Sequence, residues 1–462
     1  MNASATIEAA VRVACALLLL LATHAARADV TYVVNTVEDR IDDVSDGICH
    51  TSVNTCALRA AIMQANRLSG PGVTRISLPA GTYLLTRPTT PGGGDANGDL
   101  NLAAPLASDQ RIDIVGSGMA TTIINANQID RVLAVAQGRS ATISDLTLRN
   151  GFRQPNAGDG GGILNQGTLA VTRCAIESNQ VDEFGGGIWN SGSLVVSDSR
   201  IASNVAYIGG GFAVGGSSAG AQTTIVRSSI VGNRADSSGG GIFAESRVTV
   251  RDSTISGNSV SGDGGGVFSL TDLRVVSSTV SGNTADFNGG GVRAAGFAAL
   301  INATVVDNDA DHDRDQSGGI GGGIYSVTGT QFALVNTLIA RNTILDAPID
   351  DDCNSRVETF GRNLFGNPAG CVVVGPDPTG IILPVEFGPL QDNGGPTATH
   401  ALLAGSVAID GTFAATPCRD FDGLLPTDQR GFPRTAGARC DVGAYEFGSV
   451  NPTPLIFANG FE

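Results

Sequence analysis

The sequence predicts an all-β chain wound as a parallel β-helix, closed at its N-terminal end by one short helix, and three regularities carry that prediction. A triple glycine followed by an apolar residue begins at Gly160, Gly185, Gly209, Gly239, Gly264, Gly289 and Gly321, at spacings of 25, 24, 30, 25, 25 and 32 residues. An asparagine keeps the same beat at Asn179, Asn204, Asn233, Asn258, Asn283, Asn308 and Asn342, each three residues after Ile176, Ile201, Ile230, Ile255, Val280, Val305 or Ile339. Upstream of those aliphatics, the alternate positions Leu169 and Val171, Leu194 and Val196, and Leu273 and Val275 face one way in short period-2 pieces.

A helix of that length could not hold three interior glycines without losing about 1 kcal/mol at each. Short strands joined by bends fit, with one coil per repeat and insertions absorbed in loops. Coils stacked at about 4.8 Å pile like residues on like. A buried asparagine amide can then satisfy its copy on the next coil, so the seven asparagines are expected to form an inner ladder, while the glycines supply left-handed angles and close approach at a corner. Ligation of a sugar or metal is the competing reading for the asparagines, and recurrence in register argues against it. Two residues before each aliphatic stand Cys174, Ser199, Ser228, Ser253, Ser278, Ala303 and Thr337. Only small residues occur there, so Cys174 is read as a buried filler with an inert thiol.

Taken in chain order, residues 1–28 come first. Val13–Ala22 is an apolar run behind Arg12, and Ala26-Arg27-Ala28 is a small-x-small site, together a secretory signal peptide with cleavage before Asp29. Ten apolar residues are too few for a membrane-spanning helix. The expected compartment is therefore extracellular, or the outer surface of a bacterium. Residues 29–110 are expected to form the N-terminal cap and first coils. Within them Ala57–Asn66 is rich in helix formers, with Leu58, Ile62 and Ala65 on one face, and strand-like pieces follow at 75–78 and 83–86. Residues 111–345 are the repeat region, 346–447 a separate C-terminal region, and 448–462 a tail. A parallel stack exposes an unpaired edge at each end, which is why a cap is required. Beyond the signal, cysteines pair by proximity as Cys49 with Cys56, Cys353 with Cys371 and Cys418 with Cys440, three local disulfides suited to an oxidising compartment.

Composition excludes several functions. All 28 cations are arginine, so Schiff-base chemistry, a lysine base and a phosphate-binding P-loop are absent. The net charge of −16 argues against nucleic acid as a partner.

The stretch Asp46-Gly-Ile-Cys49-His-Thr-Ser-Val-Asn-Thr-Cys56-Ala-Leu-Arg-Ala-Ala-Ile-Met-Gln-Ala-Asn66, with Ile76-Ser-Leu-Pro-Ala-Gly-Thr-Tyr83 behind it, resembles the CSLREA domain of secreted bacterial β-helix proteins. It departs from that motif at Ala57 and Ala60, where the family has Ser and Glu. The repeats resemble those of polymorphic outer-membrane proteins and of right-handed, single-stranded pectate-lyase-like β-helices. Gly388-Pro-Leu-Gln-Asp-Asn-Gly-Gly-Pro396, His400-Ala-Leu, Gly405-Ser-Val-Ala-Ile-Asp410, Asp428-Gln-Arg-Gly-Phe-Pro433 and Cys440-Asp-Val-Gly-Ala-Tyr-Glu446 are similar to the choice-of-anchor Q domain. The resemblance implies a secreted or surface-held right-handed β-helix with no defined catalytic activity, whose partners would be extracellular glycans or surface proteins. Ile456–Glu462 stands where related proteins carry a sorting signal, with a plain tail as the alternative.

Chemistry has few candidates. Asp309, Asp311, Asp313 and Asp315 alternate in the longest insertion, a pattern that suits Ca²⁺ or a solvated acidic loop. The EF-hand pattern fails, because its sixth and twelfth places, counted from Asp307, hold His312 and Gly318. Asp95–Asn101 reads as a turn, and Asp350-Asp351-Asp352 as a solvated bend. His50, His312 and His400 fall in no Ser, His, Asp pattern, and no catalytic residue or resident cofactor is assigned. The expected function is an adhesin-like structural or interaction protein. The alternative is a polysaccharide lyase or glycoside hydrolase working in a groove on the β-helix.

Overall fold

The computed structural model describes residues 29–68, 71–90, 94–106, 110–153, 158–215, 222–313, 318–327, 329–344, 349–375, 381–382, 385–413, 418–420, 423–434 and 436–451. The signal-peptide reading, Asp315 and the closing Ile456–Glu462 lie outside them. Each repeat makes one coil of a parallel solenoid with four short strips. In one coil these are Val267–Ser269, Leu273–Val276, Thr279–Ser281 and Thr284–Ala285. Each strip pairs in parallel, without offset, with its copy on the next coil: Val267 with Val292, Leu273 with Ala298, Thr279 with Thr304. Period-2 alternation decides which side chains enter the core. Leu273, Val275, Val280 and Val292 are wholly buried and belong to one continuous apolar cluster running from Tyr32 to Phe365.

Two of the bends between these strips, besides the glycine corner, use left-handed backbone. Asp198, Arg227, Asp252 and Ser277 occupy the first at φ 43–51°. Ser203, Gly232, Gly257, Gly282 and Asp307 occupy the second at φ 54–65°. A bend interrupts the strand ladder, so the N–H of the next residue needs another acceptor. The following coil supplies one. After the first bend, Ser199 N–H donates to Ser228 Oγ (3.1 Å), Ser228 N–H to Ser253 Oγ (3.0 Å) and Ser253 N–H to Ser278 Oγ (3.1 Å). After the second, Asn204 N–H donates to Asn233 Oδ1 (3.0 Å), and so on through Asn258, Asn283, Asn308 and Asn342. The asparagine amides also donate to one another, all in one direction, at 2.8–3.0 Å from Asn179 to Asn342. The series ends on a carboxylate: Asn342 donates N–H and Nδ2 to Asp352 Oδ1 at 3.1 and 2.8 Å. Asp352 is wholly buried, which corrects the expectation of a solvated bend there. Its other oxygen accepts from Asn367 N–H (2.6 Å).

The triple glycine is forced by packing. Gly264 sits at φ +76°, and a Cβ on Gly265 would lie 2.5 Å from the carbonyl oxygens of Gly290 and Thr284.

At the N-terminal end, helix α1 (Leu58–Arg67) lies over the first coils with Leu58, Ile62 and Ala65 in the main core. Its buried Arg59 grips Asp39 (Nε to Oδ1, 2.6 Å) and the carbonyls of Asp95, Gly98 and Asp99 at 2.8–3.3 Å. The Asp95–Asn101 turn thus turns three carbonyls to a guanidinium. The pairs Cys49–Cys56, Cys353–Cys371 and Cys418–Cys440 are bonded, and Cys174 is free and buried. The ladders run on past residue 345, through Cys353–Phe360 and Gly370–Val374 to Ile381–Ile382.

The described residues between 385 and 451 then turn back along the outside of the solenoid as a strap. It begins as an antiparallel hairpin, Phe387–Gln391 with Thr399–Leu402, and continues mostly without regular structure. Two apolar clusters fasten it: Phe387, Leu402, Ala408 and Val442 on Val306, Leu338, Ala340 and Leu364, and Leu425 with Cys418 and Cys440 on Val276, Ala299, Ile301 and Ala333.

Candidate functional site

The strap lies on the outward row of the third strip, where alternation places hydroxyls at Thr254, Thr279, Thr304, Ser256 and Ser281. Most of these hydroxyls bond the strap. Thr254 Oγ1 donates to Ala398 O (2.6 Å), Thr279 Oγ1 to Gln429 Oε1 (2.6 Å), and Thr304 Oγ1 accepts from Ala444 N–H (3.0 Å). The segment Asp428-Gln429-Arg430 is the knot. Asp428 accepts from Arg430 Nε and Nη2 at 2.9 and 2.7 Å and from Glu446 N–H at 3.0 Å. The Arg430 guanidinium is stacked between Phe432 and Tyr445, 4.3 and 3.7 Å from their ring centres. Asp428 and Arg430 thus tie the strap to itself, while Gln429 between them ties it to the rod through Thr254 and Thr279.

Between the hairpin and the solenoid is a cleft of about 750 Å³, lined by Ser256, Gly257, Ser281, Gly282, Asp307, Arg341, Phe387, Pro389, Leu390, His400 and Leu403, with Gly388. Here the structure brings together two residues 119 apart: Ser281 Oγ lies 2.8 Å from His400 Nε2, and His400 Nδ1 lies 2.8 Å from Gly388 O. A carbonyl can only accept, so the proton is on Nδ1 and Nε2 accepts from the serine. Burial holds the imidazole pKa below the ordinary histidine range, which favours this neutral form. The Phe387 ring meets His400 edge-on at 5.3 Å. Arg341 lies 3.7 Å over the Phe387 ring and donates Nε and Nη2 to the two oxygens of Asp307 at 2.8 and 2.7 Å. Sequence reading missed this pair, because nothing local to either residue announces the other.

Asp307, Asp309 and Asp311 face different partners. Asp307 faces Arg341 in the cleft. Asp309 Oδ1 accepts from Thr343 Oγ1 (2.9 Å), while its Oδ2 lies 3.0 Å from His312 Nδ1. Asp311 is buried at a left-handed bend, and its N–H donates to Phe287 O (3.3 Å). No cluster of three or more His, Cys, Asp or Glu suited to a metal occurs among the described residues. His50 lies between Asp43 and Asp46, at 2.6 and 3.2 Å. The Cys174 thiol is pushed up to about 12 by burial, so it is protonated and unreactive at neutral pH.

A second polar cluster sits at a corner of the early coils. Arg153 Nη1 donates to Asp130 Oδ1 (2.6 Å), Arg131 Nε is 2.9 Å from Asp99 Oδ2, and Thr89 bonds Asp130. Burial raises the pKa of both Asp99 and nearby Asp159.

Residues 112–266 match the family described as the right handed beta helix region. Among solved structures the chain is similar to the crystal structure of the pectate lyase Pel9A, with 15% identity, a TM-score of 0.50, and coverage of 91% of this chain and 97% of that one. None of the curated proteins matches. At this identity the likeness concerns the fold, which is a right-handed parallel β-helix.

Proposed function

We propose that this right-handed parallel β-helix works outside the cell or at its surface as a structural and interaction protein, a stiff rod that offers its open faces to glycans or other proteins. The observation that carries this reading is how charge is spent along the rod. Asp145 with Arg173, Asp198 with Arg227 and Arg247 with Asp272 pair across coils at 2.6–2.8 Å on the exposed surface, and Asp307 with Arg341 pair at 2.7–2.8 Å in the cleft, so these guanidinium groups are spent on neighbouring carboxylates. Exposed pairs of this kind contribute little to stability, about 0–1 kcal/mol each. They neutralise the cations that an acidic polysaccharide would need. The signal-like residues 1–28 and the three disulfides support an extracellular location. Surface labelling of intact cells, with N-terminal sequencing that starts at Asp29, tests it; a chain retained inside with residues 1–28 attached would refute it.

A polysaccharide lyase or hydrolase is the second reading, favoured by the Asp99, Asp130, Asp159, Arg131 and Arg153 corner. That is where carboxylates and guanidinium groups come together outside the strap, and two of the carboxylates have raised pKa values. Assay on a panel of acidic and neutral polysaccharides, with and without calcium, separates the readings. Turnover abolished by Arg131→Ala in a folded chain would establish the second.

A further inference from the structure

We propose that Ser281 and His400 are a nucleophile and its base, and that the cleft between strap and rod hydrolyses uncharged esters of short acyl groups, an activity beyond the scaffold reading. The geometry has the parts such a reaction needs. The serine hydroxyl donates to Nε2 at 2.8 Å, and the Gly388 carbonyl fixes the opposite nitrogen as N–H at 2.8 Å, taking the orienting role that a carboxylate fills in many hydrolases. Ser281 differs from the neighbouring threonines of the row, which are tied to Gln429, Ala398 and Ala444.

Ser281 and His400 are each only 3% exposed, and what reaches them does so through the cleft they line. Gly257 and Gly282 line the cleft beside Ser281, and a Cβ at either would meet nothing within 4 Å. Packing does not demand glycine there, since the equivalent bend carries Ser203, Asp307 and Arg341 in other coils. Arg341, on the same cleft, gives Nε and Nη2 to Asp307, and its guanidinium is the cationic donor group of the cleft that would face a developing oxyanion. Leu390, Leu403 and Phe387 form an apolar wall, and the Asp307–Arg341 pair cancels its own charge, so the ester is uncharged and the acyl group small.

The reaction balances with water as the co-reactant. Ser281 Oγ bonds to the carbonyl carbon while its proton passes to His400 Nε2. The C–O bond to the alcohol breaks and the alcohol leaves with that proton. Water then attacks the acyl-serine through the same nitrogen, releasing the carboxylic acid and restoring both residues.

The test uses the whole secreted chain with p-nitrophenyl acetate and a fluorophosphonate probe. Expected results are a single adduct on the Ser281 peptide in native protein and none after denaturation in urea. Hydrolysis should fall about 100-fold in Ser281→Ala, and about tenfold per pH unit on the acid side of the His400 pKa. Gly282→Asn, a residue that tolerates the left-handed angle of +65°, should narrow the cleft and reduce labelling while the melting temperature moves by no more than a few degrees. No adduct in native protein, or equal hydrolysis by a folded Ser281→Ala chain, overturns the proposal. Surface exposure and polysaccharide turnover are separate readouts, so the scaffold reading survives or fails independently.

Discussion

Replacing Asn258 by alanine is the sharpest perturbation of the inner ladder. Its amide makes four hydrogen bonds: Oδ1 accepts from Asn233 N–H and Nδ2 at 3.0 and 2.9 Å, and Nδ2 donates to Asn283 Oδ1 and Ile230 O at 2.9 and 3.0 Å. Part of the loss is repaired on the spot. Asn233 Nδ2 keeps Ile201 O, and Asn283 Oδ1 keeps the backbone N–H of residue 258. The Asn233 N–H, after its left-handed bend, keeps nothing. One orphaned buried donor costs about 1–3 kcal/mol, and the other lost bonds about 0.5–1.5 kcal/mol each, not additively. The expected destabilisation is about 2–4 kcal/mol. Solenoids can open locally, so amide hydrogen exchange is the assay of choice, read at Asn233 and Asn258 alongside urea unfolding. Loss of protection centred on Asn233 is expected. A change below about 0.5 kcal/mol would refute the ladder argument.

Ala303 interrupts the hydroxyl column and offers no acceptor to the coil before it, so Ala303→Ser should raise stability by about 0.5–1.5 kcal/mol in urea unfolding. Gly265→Ala puts a Cβ 2.5 Å from two carbonyl oxygens and should prevent accumulation of folded protein, whereas Gly232→Asn, at φ +63° with open space around it, should leave the melting temperature within a degree or two. Glu446 and Asp441 are buried within the strap, with pKa values raised to about 7 and about 6 by desolvation. The fold therefore prefers their neutral forms: their contribution is complete below about pH 4 and is lost as pH rises towards 7, so Glu446→Gln should flatten the fall in strap stability between about pH 4 and 7. Millimolar calcium should not shift the melting temperature, because Asp307 and Asp309 already bond Arg341 and Thr343; a rise of several degrees would make the acidic insertion a calcium site.

What the sequence discloses follows from repetition. Asparagine is legible as a ladder because seven copies share one beat, and the triple glycines because a Cβ at the first place meets the following strand of its own coil and at the second and third the carbonyls of the next coil. The serine column shows only its small size, since its hydrogen bonds arise from a left-handed bend that no residue type announces: Arg173, Asp198 and Ser277 all adopt it. Asp352 escapes notice as the single non-asparagine rung. A shorter ladder, Asn165 to Asn190 (2.6 Å) to Thr223 Oγ1 (2.9 Å), escapes because it spans only three coils. His400 against Ser281 is a long-range contact made by a strap with little regular structure, and periodicity carries no information about where such a segment docks.

The most direct test of the whole account is a crystal structure at a resolution that places side-chain amides. Density for Asn179 to Asn342 is expected as one file inside the rod, ended by the Asp352 carboxylate, with the strap lying across Thr254–Ser281. Asparagines pointing into solvent, or residues 385–451 folded away from the rod as a lobe of their own, would contradict it.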